Sequence, residues 1–404
     1  MPISVNEILD ILKEHGISPL DDEWQNFDHP EIGTIQEGED IYTTSLTKVI
    51  GTEDDDSISI DGPLIDDPRL RSWWEKIKEI NKNQNEQNRQ IAKSRLADAP
   101  TFSERCICAW YCPIHFFGHS WGIYIREECI LETAMNIALL VDWTKITTSN
   151  TASQLLRSAF YVFFLHEQFH HKVESLGFRL LITTSSDRYR NYKSKVYQQY
   201  FLTKNCLEES LANAESYIRV GENRYKNRLD NEIFKGLRNY LKLSFKTQPP
   251  GYKEAIDYLT ARKFHIGQLK LQSQILEANI SPKTPYDHWN LAPNVITSLF
   301  DITKGIYVVL PHGAKPIFPI VGINPGATVS TKDLAAALTK HNGYQTTLGG
   351  KGSHVKLTKP NAPPIILPGN RSVLSPGVVK QVLNAIGGFP ISKLPEVLQG
   401  KLHA

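Results

Sequence analysis

Long apolar runs are missing from this 404-residue chain. Runs such as 137–141 and 159–165 are far too short to span a bilayer, so no membrane association is expected. No basic stretch leads into an apolar one at the start; Met1 to Asp10 carry acids instead, which speaks against a secretory signal. Cysteine is scarce: five residues, an odd number, favour a reducing cytoplasm over a disulfide framework. Basic residues are nearly absent from positions 1–67, where 18 acids meet 2 lysines. That segment carries a net charge of −16 and the remainder +18. Such asymmetry fits nucleic-acid contact by the basic part, an acidic segment that covers it, or acidic loops that merely solvate the N-terminal region. Repeats and low-complexity tracts are also lacking.

What remains is an ordinary globular composition, 41% hydrophobic and 22% charged, long enough for two or three domains. Residues 4–15 read as a short helix with Ile8, Leu9 and Leu12 on one face. Ile41–Thr44 and Ser57–Ile60 are β-prone, and residues 67–97 read as one polar helix that ends an acidic N-terminal region at 98. Two or three strands are expected between Cys106 and Arg126. A long helix follows over 153–176, with Gly177 as its C-terminal stop. Residues 187–275 read as helical, basic and tyrosine-rich. Positions 291–327, rich in Pro, Gly and Asn, read as a connector that contains one β-like run at 305–310.

Within the long helix lies His166-Glu167-Gln168-Phe169-His170. Histidines four residues apart share a helix face and can ligate one metal ion, and the intervening glutamate can take a proton from water. A single ion needs a third ligand. Glu174 lies eight residues beyond His166, about 12 Å along a helix axis, too far to help. The better source is Leu207-Glu208-Glu209-Ser210-Leu211-Ala212-Asn213, where Leu207, Leu211 and Ala214 form an apolar stripe. Glu209 and Asn213 share a face, one suited to the metal and the other to orienting a ligand histidine. Glu208 is the rival third ligand. Cys106, Cys108, Cys112, His115 and His119 cluster in sequence, but their spacing matches no standard zinc site, and buried strand cysteines are expected.

These two motif helices resemble the gluzincin group of metallopeptidases over roughly residues 105–220. The resemblance implies Zn2+ at His166, His170 and Glu209, Glu167 as general base, and hydrolysis of a peptide bond in a protein substrate. In related folds the peptide adds as a strand to a sheet edge. Trp121–Arg126 is either that edge or an internal core strand.

Residues 330–388 have the order α-β-β-β-α. A helix starts at Ser330-Thr331-Lys332-Asp333, strands cover 344–348, 353–358 and 365–367, and a last helix opens at Ser375-Pro376-Gly377. Alternation on the middle strand puts Val355 and Leu357 inward and His354 and Lys356 on the open face, near Lys351. Over 325–404 nine bases meet two acids. A histidine on a basic open sheet suits acid–base chemistry on an RNA backbone.

Gly343-Tyr344, Gly350-Lys351-Gly352-Ser353-His354, Ile366-Leu367-Pro368 and Ser375-Pro376-Gly377-Val378 resemble the HicA family of toxin mRNA interferases. The resemblance implies a double-stranded-RNA-binding-like fold, His354 as catalytic residue, metal-independent RNA cleavage with Lys351 and Lys356 on the RNA, and an antitoxin partner. Members commonly carry further histidines where this chain has Gly369-Asn370. The expectation is an α+β multidomain protein: an acidic N-terminal region (1–98), a mainly helical zincin-like metallopeptidase domain with a small sheet (99–290), a connector (291–327) and a HicA-like domain (328–404).

Overall fold

Apolar spacing and local caps build the first elements. Ile8 and Leu12 are the buried stripe of α1 (Val5–Glu14), and Ser4 and Glu7 cap its start reciprocally. The computed structural model describes residues 4–19, 39–44, 67–98, 107–277, 296–317 and 329–402, except positions 84, 149, 300, 301, 315, 348–353, 361, 369–373, 375 and 390–393. Strand β1 (Glu39–Thr44) falls on the β-prone run at 41–44. The second such run, Ser57–Ile60, and the acidic cluster 53–56 lie outside the described residues. The polar helix expected over 67–97 is two: α2 (Pro68–Lys82) and α3 (Glu86–Asp98). Asn83 caps the first and leaves the helical conformation, and Asn85 accepts from the Asn88 amide to start the second.

Four strands form the principal sheet, in the order β1–β4–β3–β2. Strands β2 (Ala109–Cys112) and β3 (Gly122–Arg126) are antiparallel, β4 (Ile306–Pro311) runs parallel to β3, and β1 is antiparallel to β4. Trp121–Arg126 therefore supplies an internal strand, and among the described residues the sheet edges are β1 and β2. The run at 305–310 is not connecting structure. Ile306 and Val308 fill the main core, and β4 is a central strand. Alternation sends Tyr111, Ile123 and Ile125 toward the helices, while Trp110, Tyr124 and Tyr307 stack in a row on the opposite face.

Helices α4 (Glu127–Ala138) and α5 (Thr151–Thr184) pack on this sheet, and α6 (Arg188–Tyr192), α7 (Leu207–Arg219), α8 (Asn231–Thr247) and α9 (Ala261–Glu277) pack against those helices or one another. Helix α5 has 34 residues, about 50 Å, and passes straight through Gly177. A Cβ at Gly177 would lie 2.6 Å from Tyr189 Cβ, so glycine serves the close approach of α6 instead of stopping the helix. The actual stop is Ser185, in the left-handed region at φ 50°.

Leu70 and Trp73 from the acidic region, Phe160 and Leu211 from the helical body, and Ile296 and Ile317 from the expected connector belong to one hydrophobic core. The boundaries expected at 98 and 291 thus do not separate cores. The reason is physical: β1 and β4 need each other's backbone partners and come from the two flanks of the helical body. A second, separate core holds α10 (Thr331–His341), β5 (Gln345–Thr347), β6 (His354–Thr358), β7 (Ile365–Pro368), α11 (Pro376–Ala385) and α12 (Leu394–Leu398). Its antiparallel order β5–β6–β7 and its α-β-β-β-α succession match the reading of 330–388. The molecule is thus mainly helical with small sheets. Among the described residues, no helix is long and apolar enough to cross a membrane.

Composition pointed away from a disulfide framework, and a single disulfide is present among the described residues. Cys108 and Cys129, 21 residues apart in sequence, form a disulfide with Cα atoms 5.6 Å apart. It ties the start of β2 to the first turn of α4. A closed loop of this length should contribute about 3 kcal/mol by limiting the unfolded chain. Reduction, or Cys108→Ser, should therefore lower the thermal midpoint by several degrees, measured by calorimetry. An unchanged midpoint would show that the bond adds nothing.

Candidate metal centre

Helix α7 lies along α5, and the two present their functional side chains to each other. His166 and His170, one helical turn apart, direct their Nε2 atoms to a common point, 3.3 Å from one another. Glu209 on α7 reaches the same point. Its carboxylate oxygens stand 3.1 Å from His166 Nε2 and 3.5 Å from His170 Nε2. Ligand atoms of His166, Glu167 and His170 also lie within 4.8 Å of one another, a grouping that could hold a metal ion. The neighbouring residues His166 and Glu167 point about 100° apart around a helix, so Glu167 flanks the point where the other three converge.

The outer ring nitrogens are equally committed. Asn213 donates its amide to Gln248 Oε1 (2.6 Å) and to the Tyr252 carbonyl (3.1 Å), which leaves its Oδ1 to accept from His166 Nδ1 at 2.9 Å. His170 Nδ1 donates to Glu208 at 2.7 Å. Glu208 also accepts from Tyr192 Oη (2.9 Å) and Lys193 Nζ (3.1 Å). Adjacent on one helix, Glu208 and Glu209 thus face opposite sides of the imidazoles. Glu208 is saturated by donors, while Glu209 Oε2 is buried without a hydrogen-bond partner.

This donor set fits a divalent cation. With both Nδ1 atoms donating, each neutral ring turns a lone pair inward from Nε2. Two lone pairs and a carboxylate converging in a buried site repel one another unless a cation sits among them. Burial would raise the Glu209 carboxyl, and positive charge at the converging point is what lowers it: in place of a cation, protonated His170 and His166 supply that charge and hold it well below the usual range. Burial raises Glu167 above that range against the pull of His166 and His170. A carboxyl shifted upward is matched to proton transfer.

Sequence reasoning missed the support behind these residues. Lys193 to Tyr197 form a turn of π-helix, a widening that faces Tyr192, Lys193 and Tyr197 toward α7. Tyr197 Oη donates to Glu209, and Lys193 Nζ lies 3.8 Å above the Tyr197 ring. The only available signal was the tyrosine spacing of a stretch read simply as helical. Also missed was the clamp that fixes α5 to the sheet. Tyr111 Oη bonds Glu174 and His171, and His115 bonds Glu174 through both backbone N–H (2.9 Å) and Nδ1 (2.6 Å). Glu174 is therefore structural, as its distance along the helix required.

The cysteine and histidine cluster of 106–119 does not assemble. Cys108 is in the disulfide, Cys112 is buried on β2, His115 serves Glu174, His119 is exposed and Cys106 lies outside the described residues. In the C-terminal module, Lys356 is exposed on β6 while Leu357 is buried, as alternation required. His354 opens β6 at the position paired with Pro368. Its side chain and the whole of Lys351 lie outside the described residues.

The two glutamates can be separated by experiment. Glu209→Ala or His170→Ala should remove most bound zinc, since two remaining ligands rarely suffice. Glu208→Ala should lower affinity about 10–100-fold by freeing His170 to rotate, without abolishing binding. Zinc content and chelator competition measure both. Full zinc retention in Glu209→Ala would reject the assignment.

Comparison with protein-family models, curated proteins and solved structures finds no match for the chain, so a functional reading rests on the chemistry of these residues.

Proposed function

We propose that the chain is a zinc-dependent endopeptidase fused to a HicA-like ribonuclease module. The observation that carries the first half is the convergence of His166 Nε2, His170 Nε2 and the Glu209 carboxylate beside Glu167. His166, His170 and Glu209 would hold the zinc, with Asn213 and Glu208 fixing the ring tautomers. Zinc supplies Lewis acidity toward a carbonyl and a water when bound. Glu167 would take the proton of the attacking water on a carboxylate oxygen and return it to the leaving amine. Its upward shift suits both transfers.

The α-β-β-β-α order supports the second half, with His354 as acid–base group and Lys351 and Lys356 on the RNA. Such a fusion suits a toxin–antitoxin or anti-phage defence effector acting in the cytoplasm, where proteolysis controls the toxin and an antitoxin restrains it. The Cys108–Cys129 bond would then be unusual for its compartment. An alternative is an RNA-cleaving toxin whose metal domain is a sensor or scaffold. The near closure of the centre favours it: the His166 side chain is 13% exposed and that of Glu209 is fully buried.

Glu167→Gln keeps size and polarity and removes the base. It should retain zinc and cleave peptides at least about 100-fold more slowly. Wild-type turnover in that variant would refute the peptidase mechanism. His354→Ala should abolish RNA cleavage and leave RNA binding largely intact, because the lysines hold phosphate independently of the imidazole. Cleavage that stops with chelator or survives His354→Ala would refute the ribonuclease assignment.

A further inference from the structure

We propose that the lysines along α8 and the segment after it select acidic polypeptide as the substrate of the metal centre; this rests on the peptidase reading above. Lys235, Lys242 and Lys246 project from one exposed face of α8, at i, i+7 and i+11. Lys253 is exposed just beyond the helix. Two cations of this stretch are already committed. Lys235 pairs with Glu232 at 2.6 Å, and the Arg238 guanidinium lies 3.4 Å above the Tyr217 ring and bonds the Tyr217 carbonyl. Lys242, Lys246 and Lys253 make no ion pair among the described residues. Neither nearby acid forms an ion pair with them among the described residues: Glu254 is turned to the Gly251 N–H at 2.6 Å, and Asp257 is exposed beyond it.

The track leads to the metal centre. Helix α8 ends at Gln248, whose Oε1 holds the Asn213 amide that orients His166. Tyr252, next to Lys253, lays its ring parallel to the His166 imidazole with centroids 5.9 Å apart. Lys246 and Lys253 thus flank the segment that borders the least buried ligand. Lys242 Nζ sits 5.5 Å from the Tyr217 ring on α7, and Tyr217 lies eight residues from Glu209, about 12 Å along the helix. An extended peptide rises about 3.3 Å per residue, so carboxylates roughly four residues from a bond at the zinc would meet these lysines. Unpaired cations that border a reaction centre raise the local concentration of an anionic partner.

The chain contains such a sequence. Residues 51–66 hold six acids and no base. A synthetic, dye-labelled peptide of that sequence is the probe, with a counterpart in which every Asp and Glu is replaced by its amide. Zinc-loaded, full-length Glu167→Gln protein should bind the acidic peptide at least about tenfold more tightly than the amide form at low salt. Adding Lys242→Glu, Lys246→Glu and Lys253→Glu should remove that preference and flatten its salt dependence. In the active enzyme the triple reversal should raise KM for the acidic peptide and leave kcat and zinc content unchanged.

Equal affinity for the two peptides overturns the track and leaves the peptidase untouched. Failure of the zinc-loaded wild type to cleave either peptide, with binding intact, overturns the peptidase reading instead. A triple reversal that abolishes binding of a 20-nucleotide RNA but not of the peptide overturns the proposal in favour of a nucleic-acid surface.

Discussion

The Glu209 carboxylate held against two imidazoles is the interaction on which the rest of the centre depends. It requires α5 and α7 to lie side by side at a fixed register, because a shift of one residue would bring Glu208 or Ser210 to the converging Nε2 atoms in place of Glu209. Ala212 and Ser216 lie on the side of α7 that meets α5, where Ser216 bonds the Val162 carbonyl, and small residues there allow the close approach. Ser210 adds a lock by donating to the Gly251 carbonyl. A buried charge without sufficient hydrogen bonds costs several kcal/mol, and Glu209 Oε2 has only the His166 Nε2 atom, at 3.1 Å, to offset it.

Everything around that carboxylate serves to hold it. The π-helical turn brings Tyr197 to Glu209 and brings Tyr192 and Lys193 to Glu208. One turn beyond His170 on α5, Glu174 is anchored by Tyr111 and His115 from the β2 strand and the turn that follows it. Burial would raise Glu174, but His115 outweighs it and keeps the carboxyl below its ordinary range. The helix that carries His166 and His170 is thereby held twice, by the sheet and by a carboxylate-bearing helix. That double grip explains why flanking segments of the chain enter the main core: the sheet is incomplete without β1 and β4.

Local chemistry was legible in the sequence, and non-local pairing was not. Histidines at i and i+4 announced a shared face, and Glu209 and Asn213 announced another on a helix with an apolar stripe. Which of Glu208 and Glu209 would face the rings depended on how α7 packs on α5, which no spacing within α7 encodes. The run at 305–310 looked like a β segment, but its partners β1 and β3 are remote in sequence, so its central place was hidden. Gly177 carried the sign of a helix stop and is in fact a contact site, because a missing Cβ reads the same in both roles. The α-β-β-β-α succession of 330–388 was readable because its elements pair with sequence neighbours, whereas the short helix Leu394–Leu398 in the same core was not read. Cys108 and Cys129 were misjudged because composition speaks of a compartment and not of a pair.

The central claim is that His166, His170 and Glu209 share one zinc ion. X-ray absorption at the zinc edge of the full-length protein tests it most directly. The account predicts a first shell of nitrogen and oxygen only, at about 2.0–2.2 Å, with two imidazole scatterers that fall to one in His170→Ala. A sulfur scatterer at about 2.3 Å, or a spectrum unchanged by His170→Ala, would contradict it.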